Sequence, residues 1–180
     1  MTRTMFVGAA ILAAAIATAP RMLAQGAGVP PPGQMAVSDS TFMKNAAQDG
    51  RAEVALAELA QRTSANASVK TFAMHLHDDH EKANAELTTL AQSKHVVLPT
   101  DVNAVQKSTA SKLEKMSGAT FDRAYMSEMV SAHKNAIDLF TKAGESKDSD
   151  VKAFALKTLP TLKTHLADAQ ALLKTVSASR

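Results

Sequence analysis

The sequence contains no cysteine. This absence excludes disulfide bonds, thiolate metal sites, thiol nucleophiles, haem attachment through cysteine and a lipid anchor on cysteine. With 180 residues, the chain is long enough to bury a substantial hydrophobic core in one compact domain. We therefore expect a domain whose stability depends on core packing rather than on covalent cross-links.

Aromatic residues and glycine are also scarce, at 4% of the chain and seven residues respectively. No stretch alternates polar and apolar residues as a half-buried strand would. Ala, Leu, Lys, Glu, Gln and Met are plentiful instead, and these residues have high helix propensities. The composition predicts an all-α fold.

Residues 1–26 have the features of a secretory signal peptide. Arg3 precedes an apolar run over residues 5–17, which is shorter than the ~20 residues that a transmembrane helix needs. Cleavage is expected after Gly26, with an uncleaved N-terminal anchor as the alternative. Residues 27–37 include three consecutive prolines and are predicted to form a Pro/Gly-rich spacer. The sequence therefore predicts an exported protein of the periplasm or cell envelope.

The charge of the chain is nearly balanced once this leader is removed. The full sequence has 20 basic and 17 acidic residues, and two arginines but no acids lie in residues 1–26, which leaves a net charge of +1. This balance gives no electrostatic reason to expect binding to nucleic acid or to a membrane surface. The sequence does not decide whether the protein binds a protein partner in the cell envelope or forms a homo-oligomer.

Four amphipathic segments follow the spacer. Their predicted helices begin near Ser38, Asn66, Thr120 and Asp148, and a weaker polar helix capped by Asp101 extends to about residue 116. The first two segments and the last two are joined by short turns, so each pair should form an antiparallel hairpin. Residues 38–177 are therefore predicted to form a four-helix bundle with a long crossover that contains a short helix.

Each of the four long helices carries one polar residue inside its apolar face. These residues lie at comparable heights along the helices, and they are Glu53, His80, His133 and His165. A buried carboxylate without a partner costs several kcal/mol. Two arrangements would satisfy the four groups: binding of one divalent transition metal (Zn, Fe, Cu or Mn), or a metal-free Glu–His hydrogen-bond network. The third possibility is that the four residues fall on the apolar faces of their helices by chance.

Three further residues are predicted to surround these four. His77 and Asp79 flank His80, and a metal-bound histidine usually donates its other N–H to a carboxylate or carbonyl. Met129 lies one turn before His133, where a soft thioether would suit copper. Core filling by Met129 and solvation of His77 and Asp79 are the simpler interpretations.

Four segments of the sequence resemble one bacterial family. They are Phe42–Leu59 (FMKNAAQDGRAEVALAEL), Val69–Leu87 with its Asp-Asp-His, Gly118–Phe140 (GATFDRAYMSEMVSAHKNAIDLF), and Val151–Ala169 with Leu-Pro-Thr-Leu-Lys-Thr-His-Leu. The family consists of exported proteins with a domain of unknown function, often labelled outer membrane proteins, and its fold is ferritin-like. The resemblance covers residues 40–175 and implies a ferritin-like bundle and export, but little about function.

The sequence departs from the pattern of di-iron ferritin-like sites. Those sites use a Glu on two helices and Glu-x-x-His on the other two, whereas His77 and Leu162 occupy the positions three residues before His80 and His165. A di-iron centre is therefore not expected, and at most one metal ion should bind.

Three functional classes remain, in decreasing order. The first is an envelope metal-binding protein, and the second is a metal-free structural or interaction protein. An enzyme ranks last, because the sequence shows no serine–histidine–acid order, phosphate loop or nucleotide fingerprint.

Overall fold

The structure, a computed structural model, describes residues 37–178, so the predicted signal peptide and nearly all of the predicted spacer lie outside the described residues. Within that range the chain forms helices and no strand, which confirms the prediction of an all-α fold. The five helices are α1 (Val37–Thr63), α2 (Ala67–Ser93), α3 (Ala104–Leu113), α4 (Gly118–Ala143) and α5 (Ser149–Ala178). None of the helices of residues 37–178 combines the length and hydropathy required to cross a bilayer.

Two of the predicted helix starts are confirmed by their side-chain caps. The Asn66 side chain accepts hydrogen bonds from the backbone N–H groups of Ser68 and Val69, which caps α2. Asp148 accepts from the N–H groups of Asp150 and Val151 in the same way at the start of α5. These caps satisfy N–H groups that have no partner inside the helix.

The start of α3 differs from the prediction. Asn103 caps this helix rather than Asp101, because Asn103 and Gln106 exchange side-chain-to-backbone hydrogen bonds of 3.0 and 2.9 Å in a capping box. α3 ends at Leu113, before the predicted end near residue 116, and Gly118, two residues before the predicted start of the next helix, is the first residue of α4 and has a positive φ of 55°. Glycine adopts this backbone conformation without the steric cost that a Cβ atom would bring.

The C-terminus of α2 closes in a Schellman motif. The N–H of Val96 donates to the Ala91 carbonyl at 2.8 Å, and the N–H of His95 donates to the Gln92 carbonyl at 3.1 Å. His95 consequently has a φ of 55°, the only positive φ of a non-glycine residue in the described part of the chain. Glycine is the usual residue at this position, so His95 adopts a conformation that its side chain disfavours.

The long helices pack as two hairpins. α1 packs along α2 and α4 along α5, and smaller contacts join α1 to α4 and α2 to α5. Gly50 lies where α1 meets α2, and a Cβ atom at that position would collide with the Asn84 side chain. The two helices therefore approach each other closely at Gly50.

The hydrophobic core consists of two separate clusters. One cluster contains Phe42 and Phe140, whose rings pack edge to face with their centres 5.0 Å apart, and the other contains Phe121 and Tyr125. Along each long helix, residues of one cluster are followed by residues of the other, with a single buried polar residue between them. Those positions are Glu53, His80, His133 and His165. The fold thus places a polar layer between two apolar halves of the bundle.

Candidate metal centre

The polar layer is almost completely closed to solvent. Glu53, His80 and His165 are 5–6% exposed, and His133 is not exposed at all. Each residue comes from a different long helix. On each of these helices the polar residue lies on the face that points into the bundle, as the 3.6-residue period predicts. Polar groups buried this deeply need hydrogen bonds, ion partners or a bound ion.

The three imidazole rings converge on one point. Their centres are separated by 5.3 Å for His133–His165, 5.5 Å for His80–His165 and 5.7 Å for His80–His133. One nitrogen from each ring lies within 4.8 Å of the corresponding nitrogens of the other two. Three buried histidines in this arrangement could hold a metal ion.

One nitrogen of each ring faces away from this point and meets a hydrogen-bond acceptor. His133 donates from Nδ1 to the Met129 carbonyl at 2.9 Å. His165 Nε2 lies 3.0 Å from the Asp79 carboxylate, and His80 Nδ1 lies 3.1 Å from Glu53 Oε2. Because these acceptors hold the protons on the outward nitrogens, the inward nitrogens of the neutral rings carry lone pairs.

The inward nitrogens carry no hydrogen, and His80 Nε2 receives no hydrogen bond from the described residues. His133 Nε2 and His165 Nδ1 are 3.3 Å apart. A tetrahedral ion with Zn–N bonds of about 2.0–2.1 Å separates two ligand nitrogens by roughly 3.3–3.4 Å. The His133–His165 separation therefore already matches one edge of such a coordination shell, while His80 would need a small closing movement.

Burial controls the protonation of this layer. Desolvation raises the pKa of Glu53 to about 7, and it lowers the pKa of His80 to about 4. Desolvation also lowers the pKa values of His133 and His165, although contacts with carboxylates oppose the change. The rings are therefore neutral near pH 7, which is the form that binds a metal.

Glu53 contacts the rings of His80 and His133 on the side that faces away from the point of convergence. Its Oε1 lies 3.4 Å from His133 Nδ1, but that N–H already donates to Met129, so Oε1 has no hydrogen-bond partner. Its two oxygens thus face the outward nitrogens of His80 and His133. This geometry makes Glu53 an acceptor that orients His80, and a role as fourth ligand stays a prediction.

The three other predicted residues lie in different surroundings. Asp79 contacts His165 rather than its neighbour His80. Met129 meets His133 through its backbone carbonyl, while its side chain packs in the cluster of Phe121 and Tyr125. His77 faces outward, with Asp78 and Glu58 as its partners, so the predicted position of His77 next to the cluster is not what the structure shows.

One buried group at the site was not predicted. Tyr125 lies on α4 two turns before His133; it is fully buried, and its hydroxyl has no hydrogen-bond partner in the described residues. Burial raises the pKa of Tyr125, and the charge of Glu53 raises it further. The spacing of Tyr125, Met129 and His133 at four-residue steps could have indicated a shared face, but it could not have indicated an unpaired hydroxyl.

Fold and site together define an all-α bundle with a buried three-histidine cluster. Residues 24–172 match the family described as Domain of unknown function (DUF4142), so the chain belongs to that family. The predicted resemblance to a domain-of-unknown-function family is thereby confirmed. No curated protein matches the sequence significantly.

The structure is also similar to a solved one, a crystal structure of a DUF305 fragment from Deinococcus radiodurans. The TM-score is 0.71 at 11% sequence identity, and the match covers 78% of this chain and 97% of the other. At this identity the similarity concerns the fold alone.

Proposed function

We propose that this protein binds one divalent transition-metal ion through His80, His133 and His165. In this proposal the protein is an exported, non-catalytic bundle of the periplasm or cell envelope, with a ferritin-like four-helix arrangement. The neighbour order of the long helices and the similarity to the DUF305 fragment support that arrangement. The apolar run and Arg3 of residues 1–26 support export.

The convergence of three inward lone pairs carries the proposal. Each outward nitrogen already faces an acceptor, His80 Nε2 has no hydrogen-bond partner among the described residues, and His133 Nε2 faces the inward nitrogen of His165. A metal-bound histidine characteristically has its second N–H held by a carboxylate or carbonyl. Glu53, Asp79 and the Met129 carbonyl provide three such acceptors, one for each ring.

The donor set narrows the choice of metal. Neutral imidazoles suit Zn, Cu and Fe, whereas Mn prefers carboxylate and water oxygens. Three protein ligands leave one position of a tetrahedral ion for water, because both Glu53 oxygens face the outward nitrogens of His80 and His133. We therefore propose zinc, copper or iron ahead of manganese, and one ion per chain.

Metal analysis of the purified protein tests the proposal. After reconstitution with Zn²⁺ and removal of excess ion, we expect about one ion per chain, and fewer than about 0.2 ions per chain for His133→Ala. His75→Ala changes an exposed histidine on α2 and should keep full binding. Wild-type protein that retains no more metal than His133→Ala would overturn the proposal.

A metal-free polar network is the second candidate. The contacts of Glu53 with His80 and His133 favour it, because a carboxylate can join two rings without an ion. In that case the melting temperature would not respond to chelator or to added metal. For the metal-binding protein, free ion at 100 times its Kd adds about 2.7 kcal/mol to the free energy of unfolding. Thermal melts with and without Zn²⁺ therefore separate the two candidates.

A further inference from the structure

A cavity of about 230 Å³ lies beside the polar layer, between α1, α3 and α4. Glu53 and Leu56 of α1, Ala132 of α4 and Val105 of α3 are among its walls. Gln106 of α3 is also a lining residue, and its Nε2 donates to Asp49 of α1 at 2.7 Å. The cavity therefore joins the surface next to α3 to the polar layer.

Three carboxyl groups line this cavity, and no basic side chain does. They are Asp49, Glu53 and Glu128. An acidic concave surface concentrates cations and accelerates their association. Glu53 adds a separate indication of a ligand, because it is 95% buried and its Oε1 has no hydrogen-bond partner.

Two of the same carboxyl groups, Asp49 and Glu53, also border a smaller space that reaches a histidine. A second space of about 20 Å³ is bordered by Asp49, Glu53 and His80, and apolar residues including Phe140 and Phe154 close its far side. Six waters occupy roughly 180 Å³ at about 30 Å³ each, so the outer cavity is large enough for a hydrated ion. The smaller space has room for one ion or one water only, so an ion that enters it next to Glu53 would lose its hydration shell.

We propose that this cavity is the entry port through which a hydrated divalent transition-metal ion reaches the three histidines. Asp49 and Glu128 attract the ion at the mouth, and Glu53 receives it next to His80. This inference rests on the proposed metal site, but it concerns the rate and route of loading rather than the presence of the site.

Stopped-flow loading of the metal-free protein with Co²⁺ tests the role of the charges, because Co²⁺ bound by imidazoles absorbs visible light. Asp49→Asn with Glu128→Gln removes both charges at the mouth and retains an acceptor for Gln106. We expect the association rate constant to fall about tenfold and to depend less on salt, with an unchanged number of ions per chain.

The matched control is Glu58→Gln with Asp138→Asn. It removes the same charge from the same two helices at residues that do not line the cavity. Loading at the wild-type rate is expected for this control. Equal rates for the two double variants would overturn the entry port.

Blocking the cavity tests the route independently of charge. Ala132 lines the cavity, while its neighbour Ser131 is exposed and does not, and the chain has no other cysteine to react. After modification with a bulky maleimide, Ala132→Cys should load Co²⁺ at least tenfold more slowly than the wild type, and modified Ser131→Cys should load normally. Normal loading of modified Ala132→Cys would overturn this route in favour of entry beside Asp79.

Failures of the two proposals are distinguishable. Wild-type protein that binds no Co²⁺ at equilibrium overturns both the metal site and its entry port. Stoichiometric binding that His133→Ala abolishes, combined with unchanged rates in the cavity variants, overturns the port and leaves the metal site standing.

Discussion

His133 Nε2 lies 3.3 Å from His165 Nδ1, and in both rings the opposite nitrogen already meets an acceptor. A neutral imidazole carries one N–H, so with that proton held outside, the two facing nitrogens present lone pairs to each other. Two lone pairs at this distance repel unless a proton or a metal ion lies between them. Because burial lowers the pKa of both rings, a metal ion is the better candidate near pH 7.

Removing the acceptor behind His165 should weaken metal binding without abolishing it. Asp79→Asn replaces the carboxylate that accepts from His165 Nε2 at 3.0 Å with a neutral amide. Substitution of such acceptors typically lowers metal affinity 10–100-fold. Competition for Zn²⁺ against a chromophoric chelator should show this loss with the number of ions per chain unchanged.

The neighbouring Asp78→Asn is the control for that measurement. Asp78 is exposed, and its partner is His77, which faces away from the three rings. Its affinity for Zn²⁺ should equal that of the wild type. Equal affinities for Asp79→Asn and Asp78→Asn would show that Asp79 does not support the site.

The positions of the four polar residues could be predicted from the sequence, because they depend only on helical periodicity. Glu53, His80, His133 and His165 interrupt apolar stripes, and the short turns place the four stripes against one another. The resemblance to the bacterial family added the prediction that the bundle is ferritin-like. The start of α3 was missed although Asn103 and Gln106 form a readable capping-box pattern, because Asp101 is an equally good cap two residues earlier.

The orientation of the rings could not be predicted. It depends on which acceptor each outward nitrogen meets, and those acceptors are not apparent from helical phase. Asp79 lies on the same helix as His80 and directly precedes it, but its carboxylate contacts His165 on another helix. Met129 contributes a carbonyl, which every residue four positions before a helical histidine could offer. Helical periodicity therefore predicts which residues form the polar layer. The side-chain rotamers decide which ring nitrogens face one another, and hence the chemistry of the layer.

Glu53→Gln should change the pH dependence of stability in the metal-free protein. Burial raises the pKa of Glu53 from 4.5 to about 7, so the folded state holds a proton that the unfolded state releases between these values. The contribution of Glu53 to stability is thus present below pH 4.5 and is lost as the pH rises to about 7. Glutamine has no such loss.

The free energy of unfolding of Glu53→Gln, relative to wild type, should therefore increase on the order of 3 kcal/mol between pH 4.5 and 7, at 1.36 kcal/mol per pKa unit. Urea titrations at several pH values in chelator measure this difference. Glu58→Gln, at an exposed position on the same helix, should stay within about 0.5 kcal/mol of wild type. A difference between Glu53→Gln and wild type that does not vary with pH would contradict the raised pKa.

Ser64→Ala should destabilise the junction of the first hairpin with α4. The Ser64 hydroxyl donates to Asp122 at 2.5 Å, and both residues are buried, at 3% and 4% exposure. Without the hydroxyl, Asp122 loses a partner in a desolvated position, which costs about 1–3 kcal/mol. Urea denaturation measures the change, and exposed Ser131→Ala should alter the free energy of unfolding by less than about 0.5 kcal/mol. A loss for Ser64→Ala no larger than that would show that the hydrogen bond contributes little.

His95→Gly should stabilise the protein although it removes a side chain. His95 has a φ of 55° at the end of α2, and this conformation costs a residue with a Cβ atom roughly 1–2 kcal/mol. Glycine removes that strain but gives the unfolded chain more freedom, so we expect a net gain of about 0.5–1 kcal/mol in the free energy of unfolding. The same substitution at exposed His75, in the middle of α2, should instead cost on the order of 0.5 kcal/mol, because there the backbone is helical and glycine only adds entropy to the unfolded state. Urea denaturation of the two variants should therefore give changes of opposite sign, and a loss of stability in both would show that the Schellman motif of α2 tolerates histidine without strain.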